Sequence, residues 1–158
     1  MKIRRALLLL ASHALVALVG FAAGVYTLPI LVAPEAPTAA DVQARSQRPT
    51  YTAEFRRQLK GSDALHWGEG RVTVGPEAVT LLGEIAPGPD YKLYLSPKFV
   101  ETEAEVEALK ARMLRVGDVK TFRNFIVALP PGVDLAQYDT VLVWCETFRE
   151  FITAARYR

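Results

Sequence analysis

The chain has 158 residues, 51% of them hydrophobic and 23% charged, with 19 Lys+Arg against 17 Asp+Glu. That length holds one ordinary globular domain with some extra chain and excludes large two-domain enzymes and long repeat arrays. One cysteine and two histidines exclude a disulfide framework, Cys-x-x-Cys redox pairs, Cys-x-x-Cys-His haem attachment, cysteine-built zinc knuckles and a His-rich metal site within the chain.

Lys2, Arg4 and Arg5 open the chain, and the next charged residue is Glu35. The stretch between them is dominated by Leu, Ala and Val. It exceeds the roughly 20 residues that an α-helix needs to cross a hydrocarbon core of about 30 Å. Residues 1–32 therefore read as a single transmembrane signal-anchor. Its cations stay on the cytoplasmic side, so the rest of the chain faces the periplasm or extracytoplasmic space from the inner (cytoplasmic) membrane. The competing reading is a cleaved signal peptide, with Ala6–Val19 as the apolar region and Gly20, Ala22, Ala23 and Gly24 near the cut. That cut leaves Val25–Val32 as an apolar tail on a soluble protein, and either reading exports the domain. His13 lies near the basic end without a charged partner in its segment, and reads as a neutral, interface-proximal histidine. Gly20 and Gly24 form one Gly-x-x-x-Gly spacing, which lets two helices approach.

With Lys2, Arg4 and Arg5 set aside, the remaining bases no longer outnumber the 17 acids. No basic cluster is left to neutralise phosphates, so nucleic acid is not an expected partner. Residues 33–50 are small, polar and proline-bearing, a Pro/Ala-rich linker that is partly extended, with one weak helical turn around Asp41–Arg45. Extended, it could hold the domain several tens of ångströms from the bilayer.

Residues 51–158 hold the fold, and Gly and Pro punctuate them at short intervals. Apolar runs lie between: Arg71–Val74, Val79–Leu82, Tyr91–Leu95, Thr121–Leu129 and Thr140–Cys145. The pattern predicts a mainly β domain, a β-sandwich or barrel-like fold with one or two short helices. The last run is apolar on both faces, with Val141, Val143 and Cys145 on one side and Leu142 and Trp144 on the other, which suits a central strand. Thr102 and Glu105 match a capping box. Val106, Leu109 and Met113 recur behind them, so Glu101–Leu114 reads as one amphipathic helix across the sheet. Glu54–Lys60 reads as a second, shorter helix.

Cys145 is the single thiol, on an expected core strand in an oxidising compartment. An odd cysteine there suggests intermolecular pairing, a ligand role or a reactive thiol; it equally suits an inert space-filler. Its neighbours Trp144 and Glu146 supply no cation to lower its pKa. His66 is the one histidine outside the apolar segment. Near a cysteine it could share a metal or haem iron, or it could be a structural residue bonded to Asp63 or backbone. Two such residues do not close a tetrahedral zinc site. Pro87-Gly88-Pro89-Asp90-Tyr91 reads as a turn in which Asp90 caps through its side chain. Glu101 and Glu105 sit on a solvated helix face. No Gly-x-Ser-x-Gly, Walker loop or His-Glu-x-x-His motif occurs.

The order Phe55, Leu59-Lys60-Gly61-Ser62-Asp63-Ala64-Leu65-His66-Trp67-Gly68-Glu69-Gly70, then Gly88-Pro89-Asp90-Tyr91-Lys92-Leu93-Tyr94-Leu95-Ser96-Pro97, resembles a small extracytoplasmic domain often found beside DOMON domains. This is the DM thirteen (DM13) electron-transfer family. The C-terminal half is more similar still, with Val133–Tyr138 leading into Val141-Leu142-Val143-Trp144-Cys145-Glu146-Thr147-Phe148 and Phe151–Ala155. The resemblance covers about residues 51–158. It implies a β-rich domain and a redox role in which the cysteine matching Cys145 contacts a prosthetic group or an electron-transfer partner protein. The chain carries no DOMON domain to hold haem, so a second redox centre would belong to another protein or an unidentified cofactor.

Two expectations follow. In one, a membrane-anchored, periplasm-facing redox domain uses Cys145 as ligand or redox-active thiol, with Trp144 shaping its pocket and His66 and Asp63 as partners. In the other, a non-catalytic anchored β domain binds a partner or a cell-envelope component, and Cys145 only packs the core. The residues name no metal, cofactor or substrate.

Overall fold

The computed structural model describes residues 2–158. Helix α1 runs Lys2–Val32 and helix α2 Ala39–Arg45. Eight strands follow, β1 Tyr51–Phe55, β2 Gly68–Val74, β3 Ala78–Ile85, β4 Tyr91–Ser96, β5 Leu114–Val119, β6 Arg123–Ala128, β7 Thr140–Cys145 and β8 Glu150–Arg156. Helix α3, Glu103–Leu109, lies between β4 and β5.

The strands form two antiparallel four-stranded sheets, ordered β1-β2-β3-β6 and β5-β4-β7-β8. Their inner faces share one core, with Val72, Leu81 and Phe125 from the first sheet against Leu93, Val143 and Ile152 from the second. Edge strands of the two sheets also meet, β1 beside β8 and β5 beside β6, so the sandwich approaches a flattened barrel. The mainly β expectation therefore holds.

All six residues of β7 are buried. The reason is a second apolar layer on the outer face of the β5-β4-β7-β8 sheet. Tyr94, Leu142, Trp144, Phe151 and Ala154 from the sheet pack there with Val106 of α3. Successive strand residues point to opposite faces. Val141, Val143 and Cys145 thus enter the inner core while Leu142 and Trp144 enter the outer one.

Helix α3 is shorter than the expected Glu101–Leu114. Thr102 caps it by accepting the Glu105 N–H, while the Glu105 carboxylate accepts the Glu101 N–H. Lys110–Arg112 then tighten into a 3-10 turn, and β5 begins at Leu114. Val106 is buried and Leu109 and Met113 pack beside it, so the expected stripe is present while the helix ends early. The expected helix at Glu54–Lys60 is absent. Glu54 instead pairs with Arg71 in β1, whose alternation carries Phe55 into the core. A period of two outweighs the weak helical tendency of that stretch.

The segment after α1 is only partly a free tether. Thr38 and Asp41 form a complete capping box on α2, which runs longer than one turn. Val42 is buried, Arg45 pairs with Glu77 at 3.2 Å, and Ser46 bonds Thr80 at 2.9 Å. Asn124 Nδ2 donates to the Pro37 carbonyl at 3.0 Å. Only residues 33–38 therefore separate the end of α1 from a seated helix. Their full extension is about 20 Å. Helix α1 is long and apolar enough to cross a membrane, a test that a signal sequence also passes.

Candidate functional site

Cys145 ends β7, directly opposite Tyr91 on β4 and Glu150 on β8. It is 2% exposed. Burial pushes its thiol up from the ordinary value, and the backbone amides of Phe148, Asp90 and Thr147 pull it part of the way back. The residue is nevertheless not sealed among aliphatic groups. It lines a pocket of about 360 Å³ together with His66, Tyr91, Phe148 and Ile152. Phe21, Val25 and Tyr26 of α1 form the facing wall.

His66 reaches this pocket from the loop between β1 and β2. The local sequence builds that loop around Asp63. One Asp63 oxygen accepts the backbone N–H of Leu65 at 2.6 Å and of His66 at 2.8 Å. The other lies 3.0 Å from His66 Nδ1. Partial burial raises the Asp63 carboxyl, but these hydrogen bonds outweigh it and hold the group below its usual range. With Nδ1–H donated to the carboxylate, the lone pair resides on Nε2. A carboxylate that fixes the tautomer in this way is the common support of a ligating or proton-handling imidazole. Trp67 anchors the next position: the Arg57 guanidinium lies 3.3 Å from its ring centroid and pairs with Glu69 at 2.7 Å.

Two close approaches set the pocket walls. A Cβ at Gly68 would lie 2.6 Å from Thr153 Cγ2, so the strand leaving the His66 loop can press against β8 only without a side chain. At Gly88 a Cβ would collide with the hydroxyl end of Tyr91, so the Pro-Gly-Pro turn lies directly against that ring. Asp90 does more than cap this turn. It pairs with Lys92 at 2.6 Å and accepts the Thr147 hydroxyl at 3.1 Å, while its carbonyl accepts the Glu146 N–H at 3.0 Å. The turn after Cys145 is thereby tied to the turn before Tyr91.

A family model described as "Electron transfer DM13" matches residues 58–157. The chain belongs to the DM13 electron-transfer family. No curated protein and no solved structure matches the chain.

The DM13 match takes in His66, Tyr91, Cys145 and Phe148, and stops short of the α1 residues that complete the pocket. Of the four residues singled out from the sequence, the structure brings Cys145 and His66 to one pocket and places Asp63 behind His66. Trp144 is elsewhere. Its neighbour on the strand faces the pocket, so its indole faces the outer layer and does not line the cavity.

Around that indole is a polar cluster that sequence reasoning missed. Lys110 Nζ lies 2.8 Å from both Glu146 oxygens, 4.8 Å from the Trp144 ring centroid and 5.0 Å from that of Tyr94. The Tyr94 hydroxyl also donates to Glu146. Burial raises the Glu146 carboxyl, and the bonds from Lys110 and Tyr94 overcome it and hold the group low. Trp144 Nε1 lacks a hydrogen bond of normal geometry, although the indole N–H adds to that pull. The only sequence signal was a lysine at the foot of a helix, and a carboxylate, Glu146, directly after the strand Thr140–Cys145.

Among the described residues no cluster of three or more His, Cys, Asp or Glu side chains forms a metal site. A bare ion would find two donors at most in Cys145 and His66, short of the four that a closed site takes.

Proposed function

We propose that this DM13 domain is a membrane-anchored, periplasm-facing electron-transfer module whose working site is the pocket shared by Cys145 and His66. The observation that carries the reading is that the lone thiol and the lone exported imidazole, 79 positions apart in the sequence, line one cavity. Cys145 is the ligand or contact atom for the electron-carrying group, and His66, oriented by Asp63, supplies a second donor or moves a proton at Nε2. α1 is the uncleaved anchor, residues 33–50 the connection and residues 51–158 the redox domain. Lys2, Arg4 and Arg5 support the orientation with the domain outside the cytoplasm.

The test is purification of the full-length chain in detergent under anaerobic conditions, with visible absorption, bound-metal analysis and native thiol titration. A bound chromophore or a redox-responsive thiol, either of which disappears in Cys145→Ser, is the expected result. A colourless, metal-free protein whose Cys145→Ser variant keeps full activity in cells would end the reading.

A second reading has its own support in the 2% exposure of Cys145 and its membership of the inner core. There the thiol only fills space on an anchored binding domain. It expects Cys145→Ser to cost stability alone, so the same variant separates the two.

A further inference from the structure

The pocket has features that electron transfer alone does not require. Outside α1, Leu65 (54% exposed) and Phe148 (47%) are the large hydrophobic side chains left in solvent among the described residues. Both line this pocket. Helix α1 has 31 residues, about ten more than a hydrocarbon core needs. Counting from the basic end, Phe21–Tyr26 emerge at the outer surface of the bilayer. Residues 33–38 are too short a connection to carry the domain far from it. The pocket mouth thus lies at the level of the lipid headgroups, with an apolar rim facing the membrane.

Its chemistry restricts what can enter. No Lys or Arg lines the cavity, and Glu150 is its one carboxylate. A phosphate or carboxylate headgroup would find no cation there and would meet a negative charge, so a neutral occupant is favoured. Polar groups are present nonetheless. Tyr91 is 3% exposed and lines the cavity, and among the described residues none is hydrogen-bonded to its hydroxyl. That O–H can donate to an acceptor placed in the cavity. His66 and Cys145 line the same cavity. Apolar walls with a few convergent polar atoms, at about 360 Å³, are the makeup of a small-molecule site.

We propose that this pocket binds a neutral, lipid-soluble quinone that enters ring-first from the bilayer, with a ring carbonyl accepting from Tyr91 and the isoprenoid tail leaving between Phe148 and α1. The proposal rests on the electron-transfer reading for its choice of a redox lipid, and it claims binding alone.

The test uses the full-length protein in zwitterionic lipid nanodiscs with a photoreactive azidoquinone, followed by peptide mapping. The expected result is saturable labelling of peptides containing Leu65 or Phe148, competed by unlabelled quinone. Tyr91→Phe keeps the ring, removes the donor and weakens apparent affinity roughly three- to tenfold, the effect of one hydrogen bond. Phe148→Asp, a change on the exposed rim, lowers labelling by about tenfold or more with the thermal midpoint retained. Labelling that does not saturate, or a photoreactive phospholipid that marks the same peptides equally well, overturns the proposal. Thiol and visible redox titration of the same wild-type sample separates the two claims. Saturable binding with an inert Cys145 upholds the quinone site and sinks the redox role of the thiol. A responsive Cys145 without saturable binding overturns the quinone site and leaves electron transfer standing.

Discussion

Tyr91 and Cys145 face each other across β4 and β7, and both residues line one cavity. Burial raises the pKa of each, and the nearness of Cys145 raises that of Tyr91 further. At neutral pH the pair is therefore a thiol beside a phenol, two neutral donors in an apolar chamber. Nothing positive adjoins the sulfur to hold a thiolate. Its reactivity depends on access and on whatever enters the chamber.

That arrangement predicts selective labelling. In native full-length protein, Cys145 should react with a maleimide more slowly than in unfolded chain, by an order of magnitude or more. Neutral, membrane-permeant reagents should react faster than sulfonated ones, because the mouth is apolar. Raising the pH through the ordinary thiol value of 9.0 should accelerate the unfolded chain first, since the folded thiol ionises later. Mass spectrometry of quenched samples follows both rates. Equal rates for folded and unfolded chain would contradict the burial.

Acid should loosen the Asp90–Lys92–Asp118 network that holds the turn before Tyr91. Hydrogen bonds from Lys92 and Arg115 hold the Asp118 carboxyl below its ordinary 3.8, and Lys92 also leads the lowering of Asp90. Lowered carboxylates contribute stability that is complete above the unfolded value and lost as pH falls through the folded one. The thermal midpoint should hold from neutrality down to about pH 5 and then decline as pH passes below 4. The Lys92 ammonium is raised by Asp90 and Asp118, so its share is lost at the other end, above the ordinary 10.5. Lys92→Met should flatten the acid decline. Scanning calorimetry of both proteins across pH measures it.

The sandwich was readable because its strands carry runs of apolar residues between Gly and Pro turns. Thr140–Cys145 appears with its bounds intact, even to the division of Cys145 and Trp144 between faces. β1 and β5 were not legible as strands, because Tyr51–Phe55 and Leu114–Val119 place charged or small residues where the sheet edge meets solvent; the expected helices overlapped them only at Glu54–Phe55 and at Leu114. The site was half legible. Asp63 and His66 sit three apart, a spacing that a turn closes. That Cys145 and His66 line one cavity depends on how β7 pairs with β4 and β8, and strand order is a long-range property that no local pattern encodes. The part played by α1 was hidden for the same reason: an anchor reads as hydrophobic length, with no sign of which residues touch the domain.

The Lys110–Glu146 pair tests the outer layer. Both side chains are partly buried, at 29% and 31% exposed, and both are held by more than one partner. Lys110→Met should destabilise the domain by about 1–2 kcal/mol, because it leaves a half-buried carboxylate with Tyr94 as its main donor. Adding Glu146→Gln should restore part of that loss, since the uncompensated charge is removed. Urea denaturation of the single and double variants gives the coupling. Strict additivity would mean that the pair is solvated and contributes little.

On the anchor reading proposed above, the seating of α2 sets how far the domain can stand from α1, and one side chain tests it. Val42 is 3% exposed against β3 and β6, on a helix of seven residues that could not persist alone in water. Truncation to alanine removes two methyl groups' worth of burial and should cost about 1–2 kcal/mol of local stability. Because α2 is held by that contact, the Arg45–Glu77 pair and the Ser46 and Asn124 bonds, Val42→Ala should release it well before the sandwich unfolds. Limited proteolysis in nanodiscs reads this directly. Wild type should resist trypsin at Arg45 under conditions where Val42→Ala is cut, with the thermal midpoint of the sandwich shifted only slightly. Equal cleavage of both would mean that residues 33–50 are an open tether, and that the pocket stands clear of the lipid surface.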